Sequence, residues 1–162
     1  PLHKATLDEQ EKKFAGAFAL SFHVAHLLGK DECGTASEDE RILLRALTPV
    51  VKLYTARLCR DGVGEAVEMF GGAGFIEDTG MPTLLRDAQV FAIWEGTTNV
   101  LSLDFLRALL KEGAGPVLLK RLSQLASTPQ LEELKTLLTA PTESQARKMA
   151  WLTAEVMAAA LS

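Results

Sequence analysis

Apolar and polar positions recur with a helical period along almost the whole chain. In ATLDEQEKKFAGAFALSFHVAHLLG, Phe14, Phe18, Phe22 and Ala25 fall at three- and four-residue steps. That spacing predicts a helix with those residues on its buried face, opened by a Thr6-x-x-Glu9 capping box and closed near Gly29. KDECGTA reads as a polar loop. Ser37-x-x-Glu40 then predicts a second capping box, followed by an approximate stripe of Leu43, Leu47, Val50, Leu53 and Leu58 running toward Phe70. Pro49 lies within that stripe and is expected to kink the helix or restart it.

GGAGFIEDTGMP breaks the pattern with four glycines and a proline. Thr83 is a candidate cap for LLRDAQVFAIW, which would end at Glu95-Gly96, and Thr97 or Thr98 would cap NVLSLDFLRALLKEG. Three further helical stretches follow Gly115-Pro116. Pro129 suits a first helical turn, and Thr142-x-x-Gln145 predicts another capping box. No stretch alternates with a period of two, and there is no internal repeat. Short connections between amphipathic helices predict an all-α, up-and-down antiparallel helical bundle.

Composition narrows the class. With 162 residues, 48% apolar and 23% charged, the chain has the length and make-up of one globular domain. A formal net charge of −4 argues against a nucleic-acid or anionic-membrane binder. No apolar run is long enough for a transmembrane span. PLHKATLDEQ has neither an initiator Met nor a signal-peptide pattern, and EVMAAALS stops within an amphipathic pattern. The expectation is a piece of a longer intracellular protein, cytoplasmic if bacterial or of the mitochondrial matrix if eukaryotic. Cys33 and Cys59 are expected as reduced thiols, and they form no metal-binding spacing.

Several residues carry candidate chemistry. Gly71-Gly72-Ala73-Gly74 fits either a helix-ending turn or a phosphate cradle, since glycine lets backbone N–H groups approach oxygen closely. Glu77 stands where a dinucleotide fingerprint would need its third glycine, and no strand precedes the cluster. His23 and His26 have a spacing that two metal ligands use, but nothing elsewhere completes a site, so packed or partly exposed histidines are expected. Glu95, between Trp94 and Gly96, fits either a solvated turn acid or a general base. An adjacent indole would raise a carboxyl pKa toward the useful range, and the helix start that follows offers donors to an anion.

Read together, residues 65–107, EAVEMFGGAGFIEDTGMPTLLRDAQVFAIWEGTTNVLSLDFLR, closely resemble the C-terminal helical domain of flavin-dependent acyl-CoA dehydrogenases. A GG-x-G-[FY] turn, then RDA, then an aromatic-Glu-Gly-Thr stand in the family's order and spacing. Residues 6–112 resemble it more loosely. WEGTTNVLSLDFLR and the long tail are similar to the branch that includes the alkylation-induced adaptive-response flavoproteins.

The resemblance implies a set of roles. Glu95 matches the catalytic base that removes the acyl α-proton, and its backbone N–H would bind the thioester carbonyl oxygen. The cofactor would be FAD and the product a trans-2-enoyl-CoA. Gly96 would lie against substrate. Thr97 matches a contact to the FAD pyrophosphate, and Glu68 and Asn99 occupy positions that touch FAD, where many relatives carry Gln. Gly71 and Gly72 match FAD contacts made from a neighbouring subunit. The resemblance also implies an electron-transfer flavoprotein or similar acceptor and a homodimer or homotetramer. It divides the chain into a bundle over 1–114, lacking its first helix, and a helical extension over 115–162. The chain alone is then expected to be inactive. The alternative is an adaptive-response homologue that keeps its flavin scaffold as a binding or protective module without acyl-CoA turnover.

Overall fold

The computed structural model describes residues 1–162 as helices and turns, with no strand. Two long helices, α1 (Leu2–Glu32) and α2 (Glu38–Met69), form an antiparallel hairpin. A short turn of helix, α3 (Gly72–Phe75), and a 3-10 turn (Glu77–Thr79) lead to α4 (Met81–Val90), which lies back along α2. Four helices complete the molecule: α5 (Thr98–Lys111), α6 (Ala114–Leu122), α7 (Pro129–Thr139) and α8 (Ala146–Leu161). The all-α antiparallel bundle is the architecture that the periodicity predicts.

The hairpin is set locally. The Ser37 side chain accepts from the Glu40 N–H at 3.3 Å, and the Glu40 carboxylate accepts from the Ser37 N–H at 2.8 Å. Lys30, near the end of α1, pairs with the other oxygen of Glu40 and ties the two helices together at the turn. The Lys30 ammonium and the Ser37 donors hold the Glu40 carboxyl down at about 2. A carboxylate with a lowered folded-state pKa stabilises the fold above its unfolded value of 4.5, and that contribution is lost as pH falls toward 2. Ser37→Ala should therefore cost about 1 kcal/mol in a urea melt at pH 7. Glu40→Gln should flatten the fall in stability between pH 4.5 and 2. An unchanged acid limb would show that this box does not govern it.

A 28-residue apolar cluster, drawn from α1, α2, α5, α6, α7 and α8, forms the core. Leu43, Leu47, Val50 and Leu53 of the expected stripe are buried, and Leu58 packs against them. Most of α8 is enclosed, including Met149, Ala150, Thr153, Ala154 and Met157. It comes close enough to α1 that a Cβ on Gly16 would stand 3.2 Å from the Ala158 Cβ.

That approach explains the main correction to the pattern. Phe14, Phe18 and Phe22 are 69%, 53% and 61% exposed, and Ala25 is exposed as well. The buried face of α1 is Gly16, Ala17, Leu20, Val24 and Leu27. Both stripes have the same period, so spacing cannot choose between them. Contact with α8 admits only the face with small residues, and the phenyl rings pack against one another outside, with centroids 4.5 and 6.0 Å apart.

Other local differences have local causes. Thr6 does not cap α1, which begins four residues earlier; its hydroxyl donates to the Leu2 carbonyl. Helix α2 runs unbroken through buried Pro49. Gly80, not Thr83, is the N-cap of α4, and Thr83 instead accepts from Arg86. Thr142 makes no capping bond and contacts the Gln145 side chain. Thr128 does cap α7, accepting from the Leu131 N–H, with Pro129 in the first turn.

Candidate active site

The pattern carries α4 to Trp94, but the helix stops at Val90 and residues 91–96 form an elbow before α5. Ala92, Ile93 and Trp94 still donate back to the carbonyls of Gln89 and Val90. Beyond Trp94 that ladder ends. Glu95 has φ +52°, alone among the non-glycine residues of the chain, and Gly96 follows at +110°. A left-handed conformation at a residue with a Cβ costs about 1–2 kcal/mol and persists only where surrounding contacts impose it.

One contact to the elbow comes from α2. The Lys52 ammonium donates to the carbonyls of Phe91 at 3.0 Å, Trp94 at 2.7 Å and Gly96 at 2.7 Å. Burial pulls the Lys52 pKa below the ordinary lysine value, and the Glu95 charge opposes the shift. Lys52, Thr55, Ala56, Cys59, Phe91, Trp94 and Glu95 together line a cavity of about 320 Å³. The Glu95 N–H has no hydrogen-bond acceptor and is free to donate. Lys52 carried no signal in the sequence. It stands 43 residues before Glu95, and only folding makes them neighbours.

The remaining candidates form two groups. Thr97 is the N-cap of α5 but makes no side-chain capping bond, so its hydroxyl and the first-turn N–H groups stay available. Asn99, in the first turn of α5, accepts from Arg147 of α8 at 3.4 Å. Glu95, Gly96, Thr97 and Asn99 thus share one corner. Glu68, Gly71 and Gly72 do not join them: Glu68 lies roughly 24 Å along the α2 axis from Lys52. At that far end Gly71 adopts φ +58°, and a Cβ at Gly71 or Gly72 would meet nothing within 4 Å. Gly74 is the tight glycine of the turn, since a Cβ there would lie 2.1 Å from the Val67 carbonyl oxygen. Arg86 of the RDA block clamps the turn to α4 through Glu77 at 3.0 and 3.2 Å.

Elsewhere, His23 is partly buried with its Nε2 unpartnered, and burial, Arg121 and His26 push its pKa down. Neither histidine joins a cluster able to hold a metal. Cys33 and Cys59 are free and exposed. No helix is long and apolar enough to cross a membrane.

The all-helical bundle is the fold of the C-terminal part of acyl-CoA dehydrogenases. The chain belongs to the acyl-CoA dehydrogenase family, a family of oxidoreductases that are generally FAD-dependent: the model of the acyl-CoA dehydrogenase C-terminal domain matches residues 14–110. It is 49% identical over 138 residues, 83% of its length, to acyl-CoA dehydrogenase family member 11 of Caenorhabditis elegans, covering 22% of that protein. It is 33% identical over 112 residues, 69% of its length, to the putative acyl-CoA dehydrogenase AidB of Escherichia coli, covering 20% of it.

Two solved structures match 99% of the chain. Bd2924 in its apo form superposes with a TM-score of 0.95 at 53% identity, and the chain covers 33% of it. Caenorhabditis elegans ACDH-11 in complex with C11-CoA superposes at 0.89 with 41% identity, and the chain covers 32% of it. The chain therefore spans between a fifth and a third of the length of these relatives.

Proposed function

We infer that this chain is the C-terminal domain of an FAD-dependent dehydrogenase oxidising acyl-CoA to trans-2-enoyl-CoA, with Glu95 as its base. The observation that carries the reading is the strained elbow. Backbone strain at Glu95 persists beside a cavity, and the amide of the same residue is left without an acceptor. A thioester carbonyl in that cavity would accept from the Glu95 N–H. The hydrogen bond strengthens as negative charge gathers on the oxygen, while the Glu95 carboxylate takes the α-proton. Gly96 would lie against substrate through its backbone, since the place a Cβ would take is closed by Leu101 at 3.0 Å. The acceptor for the β-hydride is the chemistry that FAD would supply when bound.

The residues present fit that cofactor. The Thr97 hydroxyl and the uncapped start of α5 suit a diphosphate, with Arg147 close by at Asn99. Gly71 and Gly72 are open to close approach, and their distance from Glu95 suits contact with a second subunit's FAD in a homodimer or homotetramer. Glu68, at the same end, would meet a hydroxyl better than a phosphate. Phe91, Ile93, Trp94, Val100 and Leu103 around the elbow, and Phe14, Phe18 and Phe22 on α1, are exposed apolar surface that further protein would cover. On this reading the bundle is residues 1–114 without its first helix, and 115–162 an extension packed on it. The chain alone then neither holds FAD tightly nor turns over acyl-CoA. A yellow, stoichiometrically flavinated preparation of residues 1–162 would contradict that.

The test uses the full-length protein, mixed without oxygen with short, medium, long and branched acyl-CoAs, C11-CoA among them. Bleaching of the visible flavin band by one class would establish the dehydrogenase and its substrate class, and reoxidation by an electron-transfer flavoprotein would identify the acceptor. A flavin that stays oxidised across the panel overturns the reading in favour of the adaptive-response module.

A further inference from the structure

Beyond Trp94 the segment that carries Glu95 has no backbone hydrogen bonds of its own until α5 begins. The N–H groups of Glu95, Gly96 and Thr97 make none, and no side chain other than Lys52 bonds to residues 91–96. The carbonyls of Phe91, Trp94 and Gly96 converge on one point, and two consecutive positive φ values at Glu95 and Gly96 lie between the last two. Three carbonyl dipoles aimed together repel one another unless a cation sits among them. A lysine ammonium meets that need, with three N–H donors for three acceptors; a neutral amine has only two.

We propose that Lys52 is the positioning residue of this active site: by binding three converging carbonyls it holds the 91–96 elbow in the left-handed form that aims the Glu95 carboxylate and N–H into the cavity. The proposal rests on the reading of Glu95 as the base. Lys52 itself removes no proton. Its effect reaches the reaction through the elbow, because a displacement of a reacting group by about 1 Å costs on the order of 100-fold in rate. Helix α2 gives the elbow a rigid anchor, since Leu53 and Tyr54 beside Lys52 are buried in the core.

The experiment takes full-length protein with Lys52→Met, which keeps the aliphatic stem, and reads two quantities. Hydrogen exchange at the amides of Ala92, Ile93 and Trp94 should accelerate about tenfold or more, while amides in the middle of α2 stay protected. Anaerobic flavin reduction by C11-CoA, or by whichever acyl-CoA bleaches the wild type best, should slow by about 10–100-fold, with flavin content and acyl-CoA affinity nearly unchanged. In the Glu95→Gln background the same substitution should add less than about threefold, because two residues acting as one unit are not additive.

Unchanged exchange at 92–94 overturns the proposal whatever the activity, and so does a full rate in Lys52→Met. A tenfold or larger further loss in the Glu95→Gln background would assign Lys52 a role that does not pass through Glu95, and also overturns it. If Glu95→Gln itself costs less than tenfold while exchange still rises in Lys52→Met, the base assignment fails and the elbow anchor stands. Should Lys52→Met not fold, Lys52→Arg keeps charge and stem. Its flat guanidinium cannot place three N–H groups on three carbonyls around a point, so a slowing of at least about tenfold is expected. A wild-type rate with wild-type exchange in Lys52→Arg would overturn the proposal.

Discussion

Glu95→Gln in the full-length protein should slow acyl-CoA-dependent flavin reduction by about 10²–10⁴-fold, the usual worth of a positioned base. Gln has nearly the size and shape of Glu, so the left-handed backbone and the free N–H of residue 95 have no reason to move. What is lost is the basic carboxylate that takes the proton, since an amide oxygen accepts hydrogen bonds but is far too weak a base. The thioester carbonyl would still be held by the N–H of residue 95, so binding of acyl-CoA should change little and the deficit should fall on the reduction step. Stopped-flow reduction with the best acyl-CoA separates the two. A loss below about tenfold would remove Glu95 from the role of base. A comparable loss in affinity would place its carboxylate in binding instead.

Gly74→Ala should be the most damaging of the glycine substitutions for the fold. The new methyl carbon would lie 2.1 Å from the Val67 carbonyl oxygen and 3.2 Å from the Phe70 Cβ. Neither neighbour can swing away, since one is backbone of α2 and the other begins a side chain at its last turn. Relief requires α3 to separate from α2, and about 2–4 kcal/mol of stability should be lost in a denaturant melt. Gly72→Ala is the control. Nothing lies within 4 Å of its Cβ position, so its effect should stay within about 0.5 kcal/mol. Equal losses at the two positions would show that the turn needs glycine for something other than this close approach.

The glycine turn shows how unevenly the molecule can be read from its residues. GG-x-G marked a break in the helical pattern, and the break is there. Which glycine is sterically obligatory was not legible, because Val67 reaches Gly74 only once α3 folds back on the end of α2. The Ser37 and Thr128 caps were legible, since each joins residues three apart that meet as soon as a helix starts. Thr83 and Thr142 have the same local chemistry and do not cap, because a left-handed glycine starts α4 and a 3-10 turn precedes α8.

The candidate site divides in the same way. Trp94-Glu95-Gly96-Thr97 stood out by residue type and order, and those residues do form one corner of the fold. The left-handed backbone at Glu95 did not stand out, because no local preference puts a Glu there.

The all-helical class, most of the elements, the Ser37 and Thr128 caps, and the three motif blocks that carry the family resemblance were all legible in the residues. These depend on residues within one or two turns of each other, or on the chemistry of single side chains. Packing between helices settled that α1 buries Gly16 and Ala17 and exposes its phenylalanines, that α8 lies within the core, and that Lys52 gathers carbonyls 39 to 44 residues away. Those outcomes depend on which surfaces meet. A helical repeat specifies a period but not a phase, and the phase is settled when another helix fits against one face and not the other.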